Sequence, residues 1–74
     1  MNKLKTQQGK YEVEIRPEDQ RGYFEHEDYG EDAGGGLWFE DNALVDYDGM
    51  AVLPSEVIAG IRALGFTVAK EFEL

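Results

Sequence analysis

The sequence predicts an α+β domain: a mostly antiparallel β-sheet of about four to five short strands with one α-helix packed on a face, in the order β-β-β-β-α-β. Three observations predict it. Lys10 to Arg16 alternates apolar and charged residues, Leu37 to Tyr47 reads as two short strands around a polar pair, and Pro54 to Leu64 carries one apolar stripe at helical spacing.

In the first run Tyr11, Val13 and Ile15 alternate with Glu12, Glu14 and Arg16, which marks a strand with one buried face. Pro17 ends it, Glu18 to Gly22 is a turn by composition, and Tyr23 to Glu27 is the antiparallel return strand. Tyr23, Glu25 and Glu27 share one face of that strand while Phe24, His26 and Asp28 share the other, a mixture that predicts an edge or strongly exposed strand. Tyr29 to Gly36 holds four glycines with Glu31 and Asp32 and reads as a flexible acidic loop. Leu37 to Glu40, the turn Asp41-Asn42 and Ala43 to Tyr47 form a hairpin.

Pro54 suits the first helical position and Glu56 the first turn; Val57, Ile58, Ile61 and Leu64 make one apolar face. Gly65 is the left-handed cap, with Phe66 packing back on the helix. Gly60 weakens the helix by up to about 1 kcal/mol relative to alanine, or else permits close approach to the sheet. Phe66 to Phe72 is the last strand.

A chain of 74 residues has room for one domain, spanning 1–74, with one modest core. There is no cysteine, so packing must stabilise it without disulfides or thiolate metal sites. No apolar run is long enough to cross a bilayer, and Met1 to Lys5 lacks the apolar stretch of a signal peptide, which makes a cytoplasmic location the expectation.

Sixteen acids against seven bases give a net charge of −9, with 42% hydrophobic residues, too many for a disordered acidic tail. Such charge repels nucleic acid and anionic membrane, so the partner it suits is a basic protein surface. From Glu18 to Asp48 lie eleven acids and one base, Arg21, so this stretch carries −10 and the remainder about +1. A solvated, solubilising face is the ordinary explanation of acidic residues. Their density here, on elements that fold and interrupted by aromatics, favours a functional one, because the repulsion lowers stability. Carboxylates at i and i+2 of a strand repeat at about 6.6 Å, about two steps of the roughly 3.4 Å rise per phosphate on one DNA strand. The candidate partner-binding residues are Glu25, Glu27, Asp28, Glu31, Asp32, Trp38, Glu40, Asp41, Asp46 and Asp48, with Trp38 as an aromatic anchor among the acids.

Catalytic and metal chemistry find little support. His26 lies between Glu25 and Glu27, but in a strand those carboxylates point to the opposite face. Ser55, the only serine, is explained by its place at a helix start. Gly34-Gly35-Gly36 precedes a strand, has no following lysine and is flanked by acids, unlike a phosphate loop. Aligning Gly49 with the glycine of a calcium loop puts Leu44 and Ser55 at ligand positions, which excludes an EF-hand and leaves a looser cation site among Glu40, Asp41, Asp46 and Asp48 as an alternative. The expectation is a non-enzyme with no cofactor and no metal.

The stretch Gly36 to Phe66, GLWFEDNALVDYDGMAVLPSEVIAGIRALGF, looks like the small acidic accessory proteins of bacteriophages and mobile elements, and the whole chain resembles phage-encoded anti-CRISPR proteins in size, acidity and lack of cysteine. These share no common signature, so no residue role is carried over. The resemblance implies a stoichiometric inhibitor in the bacterial host cell, acting as a DNA mimic on the basic surface with which a CRISPR effector complex, most of all a type I complex, recognises its target DNA. The alternatives are a DNA mimic aimed at a restriction or repair enzyme, a small divalent-cation-binding module, and a phage protein whose charge keeps it soluble.

Overall fold

Tyr11, Val13 and Ile15 turn to one side of their strand and Glu12, Glu14 and Arg16 to the other, and this alternation, repeated across its neighbours, gives the sheet one apolar and one polar face. The computed structural model describes residues 2–73. Five strands, β1 (Leu4–Gln8), β2 (Tyr11–Arg16), β3 (Arg21–His26), β4 (Gly30–Glu40) and β5 (Ala43–Tyr47), form an antiparallel meander in sequence order. The helix α1 (Ser55–Ala63) then packs across β1 and β2. The α+β class with one helix on a face is the one the sequence predicts.

The core is Val13, Ile15, Phe24, Leu37, Phe39 and Leu44 from the sheet, Leu53 from the connection, Val57, Ile58 and Ile61 from α1, and Phe66 and Val68 beyond it. Asp41 and Asn42 both take positive φ (50° and 65°), the backbone of a two-residue turn whose twist matches that of the flanking strands. At the end of α1, Gly65 has φ +92°, its N–H donates to the Arg62 carbonyl at 3.0 Å, and the Phe66 N–H donates to Ile61 at 3.2 Å. That pair of bonds is the Schellman arrangement, and it turns Phe66 into the core against Phe39, ring centroids 4.9 Å apart. Pro54 occupies the position before α1, one residue earlier than expected.

Four details differ from the expectation. β1 is an additional strand: Leu4 is its only apolar residue, but Thr6 and Gln8 are half-buried beneath α1, where Gln8 Nε2 donates to Thr6 Oγ1 at 3.2 Å. With β1 in place, β3 becomes the central strand rather than an edge. Residues 30–36 are paired in β4, not a loop, because a backbone runs against them that only glycine admits. A methyl on Gly35 would overlap the Asp48 carbonyl and Gly49, and one on Gly49 the Gly34 carbonyl. Lastly, the expected strand from Phe66 to Phe72 is a single parallel bridge, Ala43 to Thr67, followed by one 3-10 turn (Lys70–Phe72). The guanidinium of Arg62 takes the Val68 carbonyl at 2.7 Å and withdraws it from any ladder.

Candidate interaction surface

The face of the sheet opposite α1 carries no covering element. Register places its side chains in three rows across the strands: Gln7, Glu12 and Glu25; then Lys5, Glu14, Tyr23 and Gly36; then Arg16, Arg21, Trp38 and Asp46. In the middle row Glu14 is 4% exposed. Tyr23 donates its hydroxyl to Glu14 Oε1 at 3.3 Å, while Lys5 Nζ and Arg16 Nε stand 4.0 and 3.9 Å from the same carboxylate. Burial first, then the Glu14 carboxylate and its hydrogen bond, then Glu25 and Glu12, raise the Tyr23 phenol above its ordinary 10.0.

The acids of residues 18–48 fall into separate groups. Glu18 and Asp19 in the β2–β3 turn and Glu40 and Asp41 at the β4–β5 turn lie at one end of the sheet, where Gln20 Nε2 bridges to Asn42 Oδ1 at 2.8 Å. Glu27 and Asp28 in the β3–β4 turn, followed by Glu31 and Asp32, lie at the other. Of these acids Glu25, Glu40 and Asp46 lie on strands at the open face, Glu40 at its margin beside the turn, and Glu31 borders the face near Glu25, so the ten candidate residues form two acidic poles joined by a mixed face rather than one continuous array. Among the described residues, Glu27 and Asp28 have a cation nearby, Lys10 at 4.0 and 3.6 Å, and the other acids of this stretch have none within ion-pair distance.

Trp38 projects outward while Leu37 and Phe39 are buried, as the alternation requires. It stands between a cation and a carboxylate rather than among acids alone: the Arg21 guanidinium lies 5.1 Å from the ring centroid, Asp46 is its partner across the β4–β5 ladder, and the indole lies over Gly36. Alternation along β3 puts Arg21 on the face of Tyr23 and Glu25, and alternation along β4 puts Trp38 on the same face, a signal that charge counted by segment does not carry. The same count left out Glu12, which lies directly opposite Glu25.

His26 packs edge-on against Tyr11 with centroids 5.0 Å apart, and its Nδ1 accepts the Asp28 N–H at 3.1 Å, so it braces the β3–β4 turn. Asp46 Oδ1 accepts the Tyr47 N–H at 2.9 Å and Asp48 Oδ1 accepts the Gly36 N–H at 2.6 Å. Among the described residues no three His, Cys, Asp or Glu side chains gather as a metal site, and no helix is long and apolar enough to cross a membrane. No family model, curated protein or solved structure matches the chain.

Proposed function

We propose that the chain is a phage-encoded inhibitor of a CRISPR effector complex, most of all a type I complex, and that it blocks target-DNA binding by holding carboxylates where the DNA phosphates would lie. The observation that carries this reading is the exposure of unneutralised acids on ordered elements. Glu31, Asp32, Glu40 and Asp41 are exposed beside paired strands or a tight turn, with no cation beside them among the described residues. A carboxylate held on a strand or a two-residue turn loses little further freedom on binding, which favours association with a lysine- and arginine-lined groove.

The test is competition between this protein and target DNA for a purified type I effector, at low and high salt. Changing Glu25, Glu27, Asp28, Glu31 and Asp32 to Gln or Asn should weaken inhibition more, per charge removed, than changing Glu71 and Glu73, with graded losses from single changes. Binding should weaken as salt rises. Equal effects per charge, or indifference to salt, would leave the acids as a solubility device. Failure with the effector together with inhibition of a restriction or repair nuclease would move the mimicry to that target.

A further inference from the structure

The open face sets like charges opposite one another twice. Glu12 faces Glu25 across the β2–β3 ladder, and four residues along the same two strands Arg16 faces Arg21. Directly opposed like charges destabilise a sheet, and exchanging one acid with one arginine would have made two favourable pairs within the chain. Local relief is partial. Lys5 stands 3.8 Å from Glu12 and Glu14 lies beside Arg16, but Arg21 has only the Trp38 ring and Glu25 has no cation among the described residues.

The pattern wrong for one chain is right for two. We propose that a second copy of this chain docks face to face on the open sheet, about a two-fold axis that runs across the strands along the Lys5, Glu14, Tyr23 and Gly36 row. Rotation about that axis reverses the strand direction and keeps each strand over its own copy. The acidic row of one protomer then meets the basic row of the other, Glu12 against Arg16 and Glu25 against Arg21, each pair formed twice as an isologous contact requires.

The rest of the face fits the same operation. Tyr23, 39% exposed, falls on the axis against its own copy. Lys5 and Glu14 also fall on the axis, each against its own copy; the Glu14 carboxylate is turned to Tyr23, Lys5 and Arg16 of its own chain, and that local pairing offsets the meeting of like charges. Trp38 comes over the hollow bounded by Tyr23, Glu25 and Glu31 and floored by Gly34 and Gly35, which fill none of it with side chains. The molecule is a slab of 30 × 29 × 18 Å, so its broad face is of the size a standard interface takes from each partner, about 800 Å². Glu27, Asp28, Glu40 and Asp41, at the ends of the sheet, stay outside the contact and open to a basic partner, while Glu25 and Glu31 are taken into it, so the dimer does not depend on the inhibitor reading and leaves that reading the acids of the two poles.

Sedimentation equilibrium of the purified chain tests this, at low and high salt and up to millimolar concentration. The expected result is a reversible dimer whose dissociation constant rises with salt. Arg21→Glu and Glu25→Arg should each weaken association by at least about tenfold, since each sets like charges together twice. Mixed in equal amounts, the two variants should associate with each other to within a few-fold of the original strength, because every reversed side chain then meets its complement. Arg16→Glu mixed with Glu12→Arg repeats the test on β2 should a β3 variant not fold by circular dichroism. A monomer throughout, a dimer indifferent to both single changes, or a mixture that fails to recover association would each overturn the proposal.

Discussion

Gly60 of α1 sits so close to Val13 of β2 that a methyl group on its Cα would come within 2.7 Å of Val13 Cγ2. Thr6 and Gln8 of β1 close the same spot from the other side at 3.3 Å, so the helix rests on the first hairpin through its one residue without a side chain.

Gly60→Ala therefore sets two effects against each other. The helix gains up to about 1 kcal/mol of propensity, while overpacking at a buried contact costs about 1–3 kcal/mol. A branched methyl of Val13 cannot swing aside, so the expected outcome is net destabilisation of about 1 kcal/mol in urea unfolding. Val13→Ala in the same background should restore part of it, a non-additivity that marks direct contact. A stabilised Gly60→Ala protein would show that α1 does not seat there.

The glycines of β4 separate two causes in the same way. At Gly35 a methyl meets the backbone of Asp48 and Gly49, whereas at Gly30, with φ +56°, nothing lies within 4 Å. Gly30→Ala should cost only its left-handed backbone, about 1–2 kcal/mol. Gly35→Ala should cost more and lower the thermal midpoint further, because two backbone segments must part. Equal losses would mean that the glycine run is only a linker.

Tyr23 makes a prediction for alkaline pH. Its pKa is raised in the folded chain, so the native state holds the phenolic proton after the unfolded state has released it. Its contribution is then fully present below about 10, the ordinary tyrosine value, and is lost as pH rises through the folded value. Tyrosinate absorbance should show one late-titrating group that disappears in Tyr23→Phe and titrates earlier in Glu14→Gln. A titration unchanged by Glu14→Gln would remove that carboxylate as a cause.

The sequence disclosed most where local chemistry decides structure. Asp41-Asn42, the alternation around Val13 and Ile15, and the pairing of Gly65 with Phe66 are each settled within a few residues. Leu4 to Gln8 gave no such signal, because α1 covers Thr6 and Gln8 rather than apolar side chains and their burial depends on Gly60, far along the chain. Gly34 to Gly36 misled for a related reason: the need for glycine there comes from Asp48 and Gly49, and composition alone resembles a linker. For the interaction surface, charge counted along the chain found the acidic stretch. The two poles and the opposed arginines emerged only when register set Arg16 beside Arg21.

The order of elements has a consequence during synthesis. A chain emerges from its N-terminus, so all five strands precede Val57, Ile58 and Ile61, the side chains that cover Val13 and Ile15. At about 5–20 residues per second, the apolar side of the meander stands open on the nascent chain for on the order of a second. Neighbouring nascent chains are the hazard in that interval, since a bare apolar sheet associates with its like. Residues 18–48 already carry −10 before any helical residue exists, a charge that opposes contact between the bare apolar sides of unfinished chains until the helix covers them.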